Sequence, residues 1–409
     1  MSNLPINKPE PSDYGSLLFK SGKFMEAQKV LLQCVKEDPY NYQALILLGR
    51  IYLYSNKFLE AEEYLITANE IRRDEIEPKQ LLAELYYRQD RFLDAAPFYQ
   101  KIGKEEEFER LWSFKDCKPY EIESKKESTK IKLITVDPLP IIQAKINNKK
   151  TINLLIDTGA AEVIIDREYA KEIGLDVSSS GMGIFAGGKK AKFESSKIDS
   201  LSFKGLKISN VPVTILPTRP FSQIFNGIRI DGIIGTVLFY HFITTMDYVN
   251  GKLILRKKTQ ENLEAFETEL LKQKPIEIPF WLAGDHYMIA WGSVNQSEPI
   301  LLFVDTGLAG GGFTGAQSTI EKAGIKLDEE KSKTVIGGGG ELKIVPFIVD
   351  ELALGNACEK EIKGTLSEQF VLEDMFGFKI GGIISHEFFK NYSLTFDFDN
   401  MRLILVRSE

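Results

Sequence analysis

Histidine and cysteine are each present only three times in this 409-residue chain, and each scarcity removes a class of chemistry. Cys34, Cys117 and Cys358 are odd in number and far apart, so they build neither a disulfide framework nor a Cys-x-x-Cys metal or redox pair. His241, His286 and His386 are scattered; His386-Glu387 opens a zinc-peptidase pattern, but Lys390 stands where its second histidine is required. No metal and no cofactor are expected. Basic excess is also missing: 51 Lys and Arg against 58 Asp and Glu give a formal charge of -7, which argues against a nucleic-acid partner. No apolar run approaches the roughly 18 residues of a spanning helix, so no membrane span is expected. The first residues lack a charged-then-apolar leader pattern. The expected location is cytoplasmic, or periplasmic or secreted if a leader has been removed. Segment 183–189 nearly spells a phosphate-binding loop, yet Lys190 replaces the Ser or Thr that would hold Mg²⁺. No Gly-x-Ser-x-Gly elbow occurs either.

What is present first is a repeat. Gly15 and Gly49 are 34 residues apart, as are Phe24 and Phe58, Ala27 and Ala61, and Leu31 and Leu65. Leu82, Ala83, Tyr86, Phe92, Ala95 and Tyr99 continue the register. A period of 34 with small residues at fixed points predicts stacked helix pairs, the small residues letting two helices approach. The pattern resembles the tetratricopeptide repeat, with Gly15, Gly49 and Ala83 as one small position and Ala27, Ala61 and Ala95 as the other. Its turn glycine is Gly22, then Asn56 and Asp90, both tolerant of a left-handed turn. Residues 105–112 would supply a capping helix, and the helical region is expected over 11–114. The charged stretch 115–130 predicts a linker or an exposed crossing.

Beyond it, short apolar or alternating runs between Gly, Asn and Pro predict strands, as at 131–136, 208–216, 253–255 and 394–398. Helices are expected only at 167–173, 261–273 and 317–323. This region repeats at a spacing near 150. Asp157-Thr158-Gly159 ends one apolar run and Asp305-Thr306-Gly307 another; Ile233-Ile234-Gly235 is answered by Ile383-Ile384-Ser385. The terminal runs match as well, Met246-Asp247-Tyr248 with Phe396-Asp397-Phe398. Two β lobes follow, over 131–258 and 275–409, joined by the 261–273 helix.

An acidic residue placed directly after a buried run is costly unless it has partners. Two such carboxylates brought together would share one proton and titrate as a unit. The duplicated order resembles the pepsin and retropepsin class of aspartic peptidases over about residues 131–407. The resemblance implies a catalytic Asp157/Asp305 dyad, supported by Thr158, Gly159, Ala160, Thr306 and Gly307, with the two threonines bonded across the lobes. It also implies mobile hairpins at the Gly-rich segments, where Phe185, Gly187, Gly188, Gly337 and Gly338 are the candidate flap residues. Two positions depart from the family: Leu308 replaces a small residue beside the dyad, and Ser385 replaces the glycine of the Ile-Ile-Gly element.

The expected fold class is multidomain α and β, an N-terminal α-solenoid followed by a two-lobed all-β aspartic-peptidase-like region. The expected activity is endopeptidase hydrolysis by a dyad-activated water, on a peptide or protein substrate, with the repeats recruiting a protein partner or the substrate. The alternative is a catalytically weak or inactive peptide-binding adaptor using the same cleft. Because both motifs sit in one chain, a monomer is expected.

Overall fold

The computed structural model describes residues 10–124, 126–185, 189–337, 340–367 and 371–407. Its first part is seven helices: α1 Pro11–Lys20, α2 Phe24–Glu37, α3 Tyr42–Tyr54, α4 Phe58–Ile71, α5 Glu77–Tyr87, α6 Phe92–Lys101 and α7 Glu105–Trp112. They pack as antiparallel pairs for reasons legible in the repeat. A Cβ on Gly15 would lie 2.6 Å from Leu31, and one on Gly49 would lie 2.5 Å from Leu65. In the first two pairs the glycine on the first helix is therefore the seat of the leucine on the second. The turn between partners needs a left-handed residue, and Gly22, Asn56 and Asp90 supply it at φ of 75°, 54° and 59°.

These three turns do not face solvent. The Gly22 turn abuts Leu301, and Lys379 N–H donates to Lys20 O at 3.0 Å. Asn56 donates to Phe398 O at 2.9 Å, and Arg88 to Leu282 O at 3.1 Å. Phe378 is buried against Phe24, Phe19 and Tyr54, with ring centroids 5.0, 5.8 and 6.1 Å away. One edge of the helical array is thus welded to the β region. Phe378→Ala is expected to cost about 3–5 kcal/mol and to speed protease nicking between the helices and the strands. A denaturation midpoint and nicking rate equal to wild type would show that this contact carries no load.

The β region holds two lobes of the same plan. In the first, an eight-stranded sheet carries Thr151–Ile156 beside Ile141–Ile146 on one edge and the parallel Gly232–Ile234 on the other. In the second, Ile300–Val304 lies between Tyr287–Val294 and the parallel Gly382–Ile384. The lobes join through one continuous sheet, where Phe242–Asp247 pairs antiparallel with Tyr392–Asp397. Thr245 and Thr395 face each other at its centre with hydroxyls 2.7 Å apart. Asp247 and Asp397 have matching structural roles, accepting from Asn250 N–H at 3.0 Å and Asn400 N–H at 3.1 Å.

Several boundaries differ from the sequence expectation. The 115–130 stretch is no free linker: Glu121–Glu123 pairs with Leu206–Leu216, and Ser128–Lys132 with Lys252–Lys257. Both are edge strands with alternating exposure, which is why their composition is polar. The strand expected at 131–136 accordingly begins and ends earlier, and the connecting helix runs Gln260–Leu270. Short helices Thr236–Phe239, Leu372–Phe376 and His386–Phe389 were not expected, because one turn of helix leaves too little periodicity to read.

Candidate active site

Each Asp-Thr-Gly is fixed by the strand that leads into it. Ile156 pairs with Ile234, and Asp157 N–H donates to Ile234 O at 3.0 Å. Val304 pairs with Ile384, and Asp305 N–H donates to Ile384 O, also at 3.0 Å. The chain then turns sharply, and each glycine N–H caps its own aspartate: Gly159 to Asp157 Oδ1 at 2.8 Å, Gly307 to Asp305 Oδ1 at 2.7 Å. Ala160 N–H donates to Asp157 O at 3.2 Å, tightening the first loop.

The threonines interlock the lobes. Thr158 N–H donates to Thr306 Oγ1 at 3.1 Å, and Thr306 N–H to Thr158 Oγ1 at 2.9 Å. Both side chains are fully buried, and the Thr158 hydroxyl reaches Val304 O at 3.3 Å. This cross-bonding presses each glycine against the opposite carboxyl. A Cβ on Gly159 would lie 2.4 Å from Asp305 Oδ2, and one on Gly307 would lie 2.0 Å from Asp157 Cγ. Only glycine leaves that space for a carboxyl.

The same close approach sets the two carboxyls beside each other, where their titrations are coupled. Burial raises Asp157 above the ordinary carboxylate range, opposed by the hydrogen bonds from Asp305 and from Gly159 N–H. Burial first and the Asp157 charge second drive Asp305 well above that range. The pair therefore retains a shared proton to higher pH than isolated carboxylates would. Asp305 is 8% exposed and Asp157 is partly exposed, so the pair stays in reach of one water.

Ser385 fits where its first-lobe counterpart, Gly235, is glycine. In the first lobe a Cβ on Gly235 would lie 2.3–2.6 Å from the carbonyls of Ala161, Glu162 and Ala160. The second lobe avoids the clash by a longer loop: Ile165 pairs with Gly232, while Gly315, two places further from its aspartate, pairs with Gly382. Ser385 is fully buried there, and its hydroxyl accepts from Leu308 N–H at 3.2 Å. Leu308 is partly buried beside it.

Both Gly-rich segments belong to antiparallel hairpins, Ser179–Phe185 with Lys189–Phe203 and Lys333–Gly337 with Gly340–Leu354. Phe185 and Gly337 occupy the last paired positions before each tip; Gly187, Gly188 and Gly338 lie outside the described residues. Among the described residues, no group of His, Cys, Asp and Glu is arranged to hold a metal, and no helix is long and apolar enough to cross a membrane.

One element was not foreseen. Glu162, in the first Asp-Thr-Gly loop, is buried and bonded to Tyr87 Oη at 2.5 Å and to Arg110. These partners belong to the repeat array, and nothing in the local sequence marks a glutamate that will be paired from another domain.

Comparison with known proteins agrees with this architecture. Residues 142–238 match the aspartyl protease family model, and residues 18–85 the tetratricopeptide repeat model. The first match includes Asp157 and Ile233-Ile234-Gly235 and ends before Asp305. The chain is also similar to a retropepsin-like aspartic protease from Rickettsia conorii, seen in a crystal structure. The identity is 19%, covering 34% of this chain and 94% of that one, with a TM-score of 0.24. No curated protein matches the chain. The protein thus carries an aspartyl-protease-type lobe and a tetratricopeptide-type helical array.

Proposed function

We propose that the protein is an aspartic endopeptidase whose Asp157/Asp305 pair activates a water for peptide-bond hydrolysis. The observation that carries this reading is the pair of carboxyls, each pressed against the glycine of the opposite Asp-Thr-Gly loop and held by cross-bonded threonines. With one proton between them, the ionised carboxyl takes a proton from water as it attacks the scissile carbonyl carbon. The protonated carboxyl gives its proton to the carbonyl oxygen. Collapse of the tetrahedral diol returns a proton to the leaving amine, and the pair is restored without a covalent intermediate. The Gly159 and Gly307 N–H groups hold the carboxyls in place through this cycle. The repeats would contact a protein partner through the surface left open by the lobes, where Tyr14, Leu17 and Leu59 are exposed.

A mixed peptide library incubated between pH 4 and pH 8 and read by mass spectrometry tests the proposal. Wild type should generate new termini, and Asp157→Asn should lose them by at least about 10²-fold, the scale of general acid–base catalysis. Identical products from both proteins, or none from wild type, would reject it; binding without cleavage would instead favour a peptide-holding adaptor.

A further inference from the structure

A peptide lying across both carboxyls must run from one Asp-Thr-Gly loop to the other. At each end of that path, the loop of one lobe meets the opening turn of the other. Around Ala160–Glu162, the Tyr240 hydroxyl donates to Asp285 O, tying in the turn that carries Asp285 and His286. Around 308–312, the turn carrying Asp137 bonds Lys390 at 3.0 Å and His386 at 3.4 Å. Tyr240 and Lys390 are equivalent positions of the two lobes. The two ends are built alike, but they are not equally open.

The helical array covers only the first. Arg110 of α7 bonds both Glu107 and Glu162, and its side chain is 12% exposed against 7% for Glu162. Tyr87 of α5 reaches the same carboxylate, and buried Arg88 follows it. His241 closes the flank, stacked on Tyr120 and bonded to Asp90 at 2.9 Å. Arg110 also draws the Asp285 carboxyl below its ordinary value, after burial, which raises it, and the adjacent His286, which lowers it. Helix α7 continues onto the first hairpin, where a Cβ on Gly181 would sit 3.4 Å from Glu106 Cγ. At the other end no helix of the repeat array intervenes among the described residues: Ala309 and Gly310 are exposed, and Asp137 and Lys363 are 67% and 65% exposed.

We infer that helices α5 and α7 wall off one end of the cleft, with Tyr87, Arg110 and Glu162 as the specificity-determining residues of that wall. The substrate class is then a peptide cut near one terminus, with only a short stub past the scissile bond on the walled side and a chain of any length on the open side. This rests on the peptidase reading above. Extended chain advances about 3.3 Å per residue, so each added residue on the walled side presses directly on the Tyr87–Glu162–Arg110 contact. That contact does not yield cheaply, because freeing Glu162 would leave a buried carboxylate without its cation.

The test uses the full-length protein and peptides whose scissile bond is replaced by a non-cleavable hydroxyethylene. They are lengthened at either terminus from one to about six residues, and Kd is measured by calorimetry. Lengthening should be tolerated at one terminus and should weaken binding by at least about tenfold at the other. Arg110→Ala and Tyr87→Ala should each restore most of that loss. The wild-type asymmetry stands as a test even where a variant fails to fold. Equal tolerance, or equal loss, at both termini overturns the wall and leaves the peptidase reading intact. Failure of every isostere peptide to bind overturns the peptidase reading and the wall with it.

Discussion

Asp305→Asn is expected to abolish peptide hydrolysis and, at neutral pH, to make the protein more stable. The loss of activity should reach at least about 10²–10⁴-fold, because asparagine cannot pass a proton between water and the scissile carbonyl. The gain in stability follows from the sign of the shift. The folded protein holds Asp305 well above its ordinary value, through burial and then the Asp157 charge. Its contribution to stability is therefore fully present below the unfolded value of about 3.9 and is lost as pH rises through the folded value. Asparagine resembles the protonated form and keeps a donor toward Asp157, so the variant escapes that loss. Its melting temperature should exceed that of wild type at pH 7 and match it near pH 4, each kcal/mol relieved being worth roughly 1–2 °C in a chain of this size. A difference that does not change with pH would show that Asp305 is not raised in the folded protein. The same sign would shape the proposed catalysis: a mechanism that uses the singly protonated pair would have that state extended toward neutral pH by the raised values.

Gly307→Ala should be as damaging as loss of a carboxyl, although it removes no reacting atom. The new methyl would lie 2.0 Å from Asp157 Cγ and Oδ1, well inside contact distance. Asp157 and Gly307 cannot separate smoothly, since Thr158 and Thr306 clamp the loops from beneath. Either the grip opens, costing about 1–3 kcal/mol or more as overpacking does, or Asp157 rotates away from Asp305. Both outcomes remove the shared proton. Gly310→Ala is a useful contrast, with nothing within 4 Å of its would-be Cβ but a φ of 78°, so its cost should be modest backbone strain alone. Gly307→Ala retaining more than about a tenth of wild-type turnover would mean that a shift of this size is tolerated, against the usual sensitivity of reacting geometry.

Much of this architecture was legible in the chain because the constraints are local. The 34-residue period marks Gly15 and Gly49, and the structure shows why: each receives a leucine from its partner helix. The apolar runs before Asp157 and Asp305 mark the strands that present them, and the cross-bonded threonines follow the family pattern. Ser385 was harder to place. Its added Cβ looks intrusive until the longer second loop is seen, and that length emerges only from strand pairing. Charged segment 115–130 reads as a linker, since edge strands carry the same polar composition. The Glu162 contacts with Tyr87 and Arg110 left no trace, because a pairing between residues 75 and 52 places apart has no periodicity to betray it.

The continuous sheet between the lobes has a consequence for how the two halves can differ. An assembly of two identical subunits would repeat every feature about its axis, so any obstruction at one mouth would be duplicated at the other and the groove would be sealed. Here the Thr245–Thr395 seam joins two halves that are encoded separately. One half carries Glu162, which anchors helices, while the other has Gly310, Gly311 and Gly312 in that place. On the walled-cleft proposal, joining both halves in one chain gives the groove a direction, an inside and an outside, which duplication of a single subunit could not provide.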